Sequence, residues 1–127
     1  MLMEVLVTDK QDNCVRVCSS FGEFFGMWRS PSLPQLKKYT VGLDSHDIIS
    51  DDMLTFTPTS SPHIECTGND VYLTGLLEEI ENDVLFLRLG TDLVMFETAQ
   101  NSDYSKYIGL YVQVRVSQLL LYDVGLS

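Results

Sequence analysis

Carboxylate side chains supply the two clusters in this sequence that could do chemistry. The first cluster consists of Asp44, Asp47, Asp51 and Asp52. Paired carboxylates can transfer protons or hold a hard cation, but this stretch lacks the calcium-loop pattern D-x-[DN]-x-[DN]-G with a later glutamate. We therefore interpret the cluster either as a solvated loop or as a contact surface for a basic partner.

The second carboxylate cluster surrounds the tip of an expected β-hairpin. Its members are Glu78, Glu79, Glu81 and Asp83. Four acids within six positions cannot cancel one another, and their repulsion destabilises the free protein. A cation supplied by another molecule would relieve that repulsion. The cluster is thus either a binding site for a positively charged partner or a solvated hairpin tip.

Catalytic residues are not expected. His46 lies beside Asp47, with Ser45 and Ser50 as candidate nucleophiles. Adjacent residues rarely adopt the geometry of a catalytic triad, and the G-x-S-x-G elbow is missing. The glycines within residues 22–26 are not followed by the Lys-Ser/Thr pair of a phosphate-binding loop. The sequence therefore predicts a protein that is not an enzyme.

The three cysteines indicate free thiols in a reducing compartment. On a regular strand, Cys14 and Cys18 would lie roughly 13 Å apart, too far for a disulfide. A zinc site that joined the cysteines to His46 or His63 would lack the ligand spacing of zinc motifs. We predict no metal and no other cofactor, and we expect Cys14, Cys18 and Cys66 to be buried.

Charge is distributed unevenly along the chain. The 127 residues carry a formal net charge of −10. Residues 1–40 contain five basic and four acidic side chains, whereas residues 41–127 contain three basic and fourteen acidic ones. Such a surface repels phosphate backbones and attracts cationic molecules. The sequence therefore predicts a basic protein as partner and argues against single-stranded nucleic acid, which requires a basic groove.

Residues 70–125 have the clearest strand pattern. The predicted strands are 71–79, 84–89, 93–97, 108–116 and 119–124. Asn82 and Asp83 occupy a tight turn, and Gly75 is expected to form a bulge or bend. Alternation in the fourth strand predicts that Ile108, Leu110, Val112, Val114 and Val116 face inward. This segment is interpreted as an antiparallel β-meander.

Residues 1–66 are predicted to be of mixed structure, with strands near 3–7, 14–18, 37–43 and 53–57. Ser20 and Glu23 match a helix capping box. Four aromatic residues then follow at helical spacing: Phe21, Phe24, Phe25 and Trp28. This spacing predicts a short helix whose aromatic stripe packs on the sheet or is presented to a partner, although two glycines weaken it.

Tyrosines supply further candidate partner contacts. Tyr104, Tyr107 and Tyr111 lie on an expected loop and on the outward side of the following strand. Tyrosine provides rigid amphipathic contact area and is enriched at binding interfaces. We expect these three rings to be available to a partner.

The predicted fold is a single domain over residues 1–127, mainly β within the α+β class. It is an antiparallel, partly closed β-barrel or strongly bent sheet with one short aromatic helix packed on it. Residues 1–66 form its mixed N-terminal half, and residues 70–125 form the meander. No internal repeat is recognised, and whether the first half completes the barrel stays open.

The short apolar N-terminus carries Glu4 and has no basic leader. We therefore expect neither a signal peptide nor a membrane span, and we take the cytoplasm as the default location. No membrane partner is predicted. The free protein is expected to be a monomer or a weak dimer.

In size, acidity, and lack of export signal and catalytic motif, the chain resembles bacterial immunity proteins that neutralise contact-dependent or colicin-type toxins. The two carboxylate clusters and the tyrosines between 104 and 111 carry the likeness. It concerns general character without a diagnostic motif, so no contact residues are carried over. The resemblance implies a cytosolic protein that binds its cognate toxin, often a cationic nuclease, and blocks its active site or substrate groove. The alternative is a structural or adaptor β-barrel subunit of a larger assembly.

Overall fold

The computed structural model describes residues 1–100 and 103–125, in which twelve β-strands and two single-turn 3₁₀ helices follow one another. The first six strands are β1 (Leu2–Gln11), β2 (Cys14–Ser19), β3 (Gly22–Trp28), β4 (Lys38–Asp44), β5 (Ile48–Ile49) and β6 (Leu54–Phe56). The other six are β7 (His63–Thr67), β8 (Asp70–Glu81), β9 (Val84–Leu89), β10 (Asp92–Thr98), β11 (Tyr111–Val116) and β12 (Leu120–Asp123). The 3₁₀ helices span Asp51–Met53 and Ser105–Tyr107.

The strands form a closed barrel and a second sheet. The barrel has the order β1-β2-β3-β12-β4, and the second sheet has the order β5-β10-β9-β8-β11-β6, with β7 paired to β8. Strict alternation explains the barrel interior: Met3, Val5 and Val7 of β1 are buried, and the residues between them are exposed. The prediction of a mainly β protein with a barrel is confirmed.

The predicted aromatic helix is wrong, because its residues form β3. Phe24 and Trp28 have the same parity, so a strand points both inward just as a helix would. Both are buried, and the Trp28 ring packs edge-on against Tyr39 with 4.8 Å between ring centroids. Pairing with β2 on one side and β12 on the other satisfies the backbone of β3, and Gly22 and Gly26 remove helix propensity.

Two details of the meander also differ from expectation. Ile108 and Leu110 are 44% and 42% exposed, because Gly109 (φ 88°) turns the chain and β11 begins only at Tyr111. Val112, Val114 and Val116 are buried as predicted. The bulge of β8 lies between Leu77 and Glu79 rather than at Gly75.

An internal repeat, which the sequence did not reveal, relates β1, β2 and β3 to β8, β9 and β10. Adding 70 to the residue numbers of β2 and β3 gives β9 and β10. The bulge of β1 between Val7 and Asp9 becomes the bulge of β8 between Leu77 and Glu79 by the same addition. Buried equivalents such as Val15 and Leu85 are alike, but no equivalent pair from Val15 to Phe25 is identical and others, such as Gly26 and Phe96, differ completely, which hides the repeat from the sequence.

The two halves of the repeat exchange their closing strands. β5 follows β4 of the first half but pairs in parallel with β10 of the second, where Ile48 lies opposite Glu97. β12 follows β11 of the second half but pairs in parallel with β3 of the first, where Leu120 lies opposite Met27. Residues 1–66 therefore do not close the barrel alone, since β12 completes it.

Candidate partner-binding surface

The outward side of β8, β9 and β10 carries acids around exposed apolar side chains. Leu85, Leu87 and Leu89 of β9 point into the core and are fully buried, so the alternate residues Val84 and Phe86 face outward. The residues paired with those two share the same side of the sheet.

Cross-strand register places carboxylates beside each of these outward residues. Phe86 lies opposite Glu79 in β8 and opposite Met95 in β10. In the next row, Val84 lies opposite Glu81 and Glu97, and Ile48 of β5 follows beyond Glu97. Ile48 and Met95 are 56% and 54% exposed. We call this surface the acidic face; it comprises Ile48, Glu79, Glu81, Val84, Phe86, Met95 and Glu97.

A groove of about 440 Å³ joins the acidic face to the first carboxylate cluster. Asp44 and Asp47 line it from the connection between β4 and β5, and Val84, Met95 and Glu97 line it from the sheet. The described residues that line the groove include no lysine or arginine. Parts of two clusters that lie far apart in the sequence thus meet in the fold.

The hairpin tip continues the acidic face. Asn82 and Asp83 both adopt left-handed conformations (φ 52° and 60°), as a two-residue hairpin turn requires and as predicted. The Asp83 carbonyl accepts a hydrogen bond from the backbone of Thr98 at 2.8 Å, which fixes the turn against β10. Asp83 is exposed and directly precedes Val84, which lines the groove.

Glu78 is exposed like Glu79, but its charge is paired within the protein. Its carboxylate forms a two-point ion pair with Arg88, in which Arg88 Nη2 donates to Glu78 Oε1 at 3.1 Å. Hydrogen bonding from Arg88 lowers the pKa of Glu78. The expectation that the four hairpin acids remain uncancelled is therefore wrong for Glu78, which the β8 bulge turns toward its own arginine.

Asp47 and Asp44 make hydrogen bonds within the protein. Asp47 is half-buried, and Ser117 donates to it from its backbone at 2.9 Å and from its hydroxyl at 2.9 and 3.0 Å. Within the described residues, Asp44 accepts one hydrogen bond, from the neighbouring backbone of Ser45 at 2.8 Å, and it is exposed. Asp47 shapes the groove, whereas Asp44 leaves its charge available there.

Asp51 and Asp52 lie apart from the acidic face. Arg115 donates to Asp52 at 3.2 Å, and a hydrogen bond from Ser50 is the largest cause that lowers the pKa of Asp52. Asp51 lines a separate cavity of about 250 Å³, together with Tyr104. The 3₁₀ turn that carries both aspartates leads into β6, so the first cluster is divided between two sites.

The tyrosines have three different environments. Tyr104 is only 4% exposed, and its hydroxyl donates to the carbonyl of Ile49 at 3.3 Å, so its expected role as an outward contact is wrong. Tyr107 is half-buried, with the Lys106 ammonium 5.1 Å from its ring centroid. Tyr111 is half-buried and lies opposite Leu76, one row from the acidic face.

No protein-family model, curated protein or solved structure matches this chain. Within residues 1–100 and 103–125, no helix is long and apolar enough to cross a membrane.

The thiols and imidazoles are dispersed. In the described part of the chain, no three metal-ligating side chains of His, Cys, Asp or Glu come together. Cys14, Cys18 and Cys66 are free. Cys14 is exposed and the other two are half-buried, so the expectation of buried thiols is wrong for Cys14. His46 lines the acidic groove beside Ser45, but Ser45 donates to Asp47 and not to the imidazole.

Sequence reasoning missed Glu97, Met95 and Ile48. Glu97 and Met95 have the parity opposite to the buried Val94 and Phe96, and this alternation signals an outward location. Glu97 and Met95 lie next to the acidic hairpin because β10 pairs with β9, its neighbour along the chain. Ile48 reaches the same surface through the long-range pairing of β5 with β10. An apolar centre surrounded by carboxylates is suited to a protein partner with a positive rim, since apolar anchors provide affinity and charges provide steering.

Proposed function

We propose that this chain is a non-catalytic acidic binding protein that neutralises a cationic protein, and specifically an immunity protein that blocks a cognate nuclease-type toxin. One observation carries the proposal. Glu79, Glu81 and Glu97 share one sheet face with the exposed Ile48 and Met95, and no ion pair within the described residues neutralises these three glutamates.

The mechanism follows from the chemistry of nucleases. A nuclease exposes lysine and arginine to hold phosphate, so a row of fixed carboxylates imitates the charge of its substrate. The rigid sheet holds these carboxylates in place before binding, which limits the entropy lost on association. Met95 supplies apolar contact beside Phe86, Ile48 supplies it at the edge of the sheet, and the acids accelerate encounter.

The test compares the acidic face with an equal change of charge elsewhere on the protein. The test variant carries Glu79→Lys, Glu81→Lys and Glu97→Lys; the control carries Asp9→Lys, Asp12→Lys and Glu23→Lys, which make the same charge change on exposed residues of the other half. Proteins bound to the parent chain in its native cell are identified, and their toxicity is measured with and without each variant.

The expected partner is a basic toxin whose activity the parent and the control suppress. At low salt the test variant should associate with the toxin about tenfold more slowly than the parent, or more slowly still. The difference in rate between the test variant and the control should shrink as the salt concentration rises. Equal rates for both variants would reject the acidic face as the binding surface. A bound protein that is neither basic nor toxic would reject the immunity function.

A structural adaptor remains the second candidate, because exposed apolar side chains also suit permanent assembly. Phe56, Ile48 and Met95 are each more than half exposed. Sedimentation of the purified protein distinguishes the two functions. A stable oligomer would favour the adaptor, and a monomer that binds a toxin would favour immunity.

A further inference from the structure

One edge of β8 is shared by two strands. β9 pairs with its second part, residues 76–81, and β7 pairs with its first part, residues 70–74. β11 occupies the opposite edge. β7 therefore fills the gap that opens where β8 and β9 diverge.

The equivalent gap in the first half of the repeat is open. β2 pairs with residues 6–11 of β1, and β4 occupies the opposite edge along residues 2–6. Within the described part of the chain, no strand pairs with residues 2–5 on the β2 side. A groove of about 480 Å³ occupies the gap, with Glu4 on one wall and Thr91 and Asp92 on the other. We call residues 2–5 the open edge of β1.

Hydrogen-bond alternation identifies the backbone groups that face the groove. Met1 accepts from Leu43 at 2.9 Å and Val7 donates to Lys37 at 3.0 Å, so the odd-numbered residues of β1 bond toward β4. The backbones of Leu2 and Glu4 consequently point to the open edge.

The equivalent groups in β8 are occupied by β7. Adding 70 to Leu2 and Glu4 gives Tyr72 and Thr74, and Thr74 lies opposite His63 of β7. Thr74 is 5% exposed, whereas Glu4 is exposed. The repeat thus shows the length, direction and register of the strand that the open edge can accept.

The Asp92 side chain occupies part of the space along β1 that corresponds to the position of β7 along β8. Its carboxylate accepts the backbone N–H of Leu2 at 3.1 Å. The equivalent residue is Gly22, where a Cβ atom would lie 2.3 Å from the carbonyl oxygen of Ile64 in β7. The first half therefore satisfies one N–H with a side chain, while the N–H and C=O of Glu4 have no strand partner within the described residues.

A second copy of this chain does not suit the open edge. Self-pairing at the open edge would bring together two chains that each carry a net charge of −10, which is unfavourable. The same surplus of acids, with Glu4 and Asp92 beside the groove, instead favours a basic strand; the cations among the described lining residues are Lys38 and the Met1 ammonium.

We propose that the open edge of β1 is the docking site for one extended strand of a basic protein partner, which adds antiparallel to β1 as β7 adds to β8. The inference rests on the proposed function, because the cationic partner comes from it. Main-chain hydrogen bonds to Glu4 supply binding, and the carboxylates of Glu4 and Asp92 select basic side chains.

The probe is an alternating lysine–valine heptapeptide with blocked ends, titrated into the isotope-labelled protein. Amide shifts and amide hydrogen exchange are followed by NMR. A second peptide of identical charge carries N-methyl groups on alternate amides and cannot extend a sheet. The expected result is slowed exchange of the Glu4 amide with the first peptide, and about tenfold weaker binding of the second.

Glu4→Pro tests the edge in the protein itself. Proline removes the N–H that faces the groove, and an edge position tolerates it because the β4 ladder does not use that N–H. Glu4→Gln is the matched control, since it removes the charge but keeps the backbone donor. Glu4→Pro, which has no amide proton at position 4, should weaken binding of the first peptide about tenfold, and Glu4→Gln should retain the slowed exchange of the residue 4 amide.

Two results would overturn the proposal. If the peptide perturbs only Glu79, Glu81 and Glu97, the open edge is not a docking site, while the proposed function through the acidic face stands. If the N-methylated peptide binds as well as the unmodified one, the interaction is electrostatic only and no strand is added. Both results come from titrations of the protein without substitutions, so the proposal can be tested even if Glu4→Pro fails to fold.

Discussion

Asp47, between β4 and β5, accepts three hydrogen bonds from Ser117, between β11 and β12. These two connections are the points at which the chain leaves one half of the repeat to close the other. The contact therefore links these two connections, which lie 70 residues apart in the sequence. It explains why a carboxylate that the sequence suggests for partner binding is half-buried.

Asp47→Ala should lower the free energy of unfolding by about 1 kcal/mol, because the exposed backbone N–H and hydroxyl of Ser117 exchange a charged acceptor for water. Urea unfolding followed by Trp28 fluorescence measures the loss. Asp44→Ala is the control: its carboxylate is exposed and, within the described residues, bonds only to the adjacent backbone. Similar stabilities of the two variants would show that the hydrogen bonds between Asp47 and Ser117 contribute nothing to the free energy of unfolding.

Gly22→Ala should destabilise the protein by about 2 kcal/mol or more, since it combines an unfavourable backbone conformation with a direct clash. Gly22 has φ 131°, and an added Cβ would lie 2.3 Å from the carbonyl oxygen of Ile64. Gly68→Ala tests the backbone cost alone, because Gly68 has φ 65° and nothing lies within 4 Å of an added Cβ.

Thermal unfolding should rank the variants as parent, Gly68→Ala and Gly22→Ala in decreasing stability. Gly22→Ala should also speed amide exchange in β7, because the strand is displaced. Equal destabilisation by the two substitutions would contradict the close approach of β7 to β3.

Asp92 should make stability depend on pH in the acid range. Backbone donation from Leu2, and then from Leu93, lowers the pKa of Asp92 below its ordinary value of 3.8. A carboxyl group whose pKa is lower in the folded state stabilises the protein above its unfolded pKa, and this contribution disappears as the pH falls through the folded pKa.

Asp92→Asn should therefore be less stable than the parent at pH 5–7, and the difference should shrink as the pH drops below about 4. Denaturant unfolding at a series of pH values gives the measurement. A constant difference down to the acid transition would mean that the charge of Asp92 contributes no pH-dependent stability.

Much of the strand content could be predicted from local pattern. Met3, Val5 and Val7 alternate with outward residues, and Asn82-Asp83 sits between two apolar runs. These signals concern neighbours along the chain, so they do not depend on the rest of the fold. The failure at β3 has a specific cause: Phe24 and Trp28 fit the inward face of both a helix and a strand, and only pairing with β2 and β12 selects the strand.

The sequence by itself determined the alternation of the strands, the hairpin turn at residues 82–83 and the surplus of carboxylates. Tertiary structure decided which carboxylates act together: it paired Glu78 with Arg88, enclosed Asp47 against Ser117 and placed Glu97 beside Glu81 through Val84. It also decided the exchange of closing strands and the gap along β1. The strand exchange, the gap along β1 and the contact of Asp47 with Ser117 depend on pairing between distant segments, which leaves no pattern in the local sequence. The placements of Glu78 and Glu97 depend on the register of neighbouring hairpins.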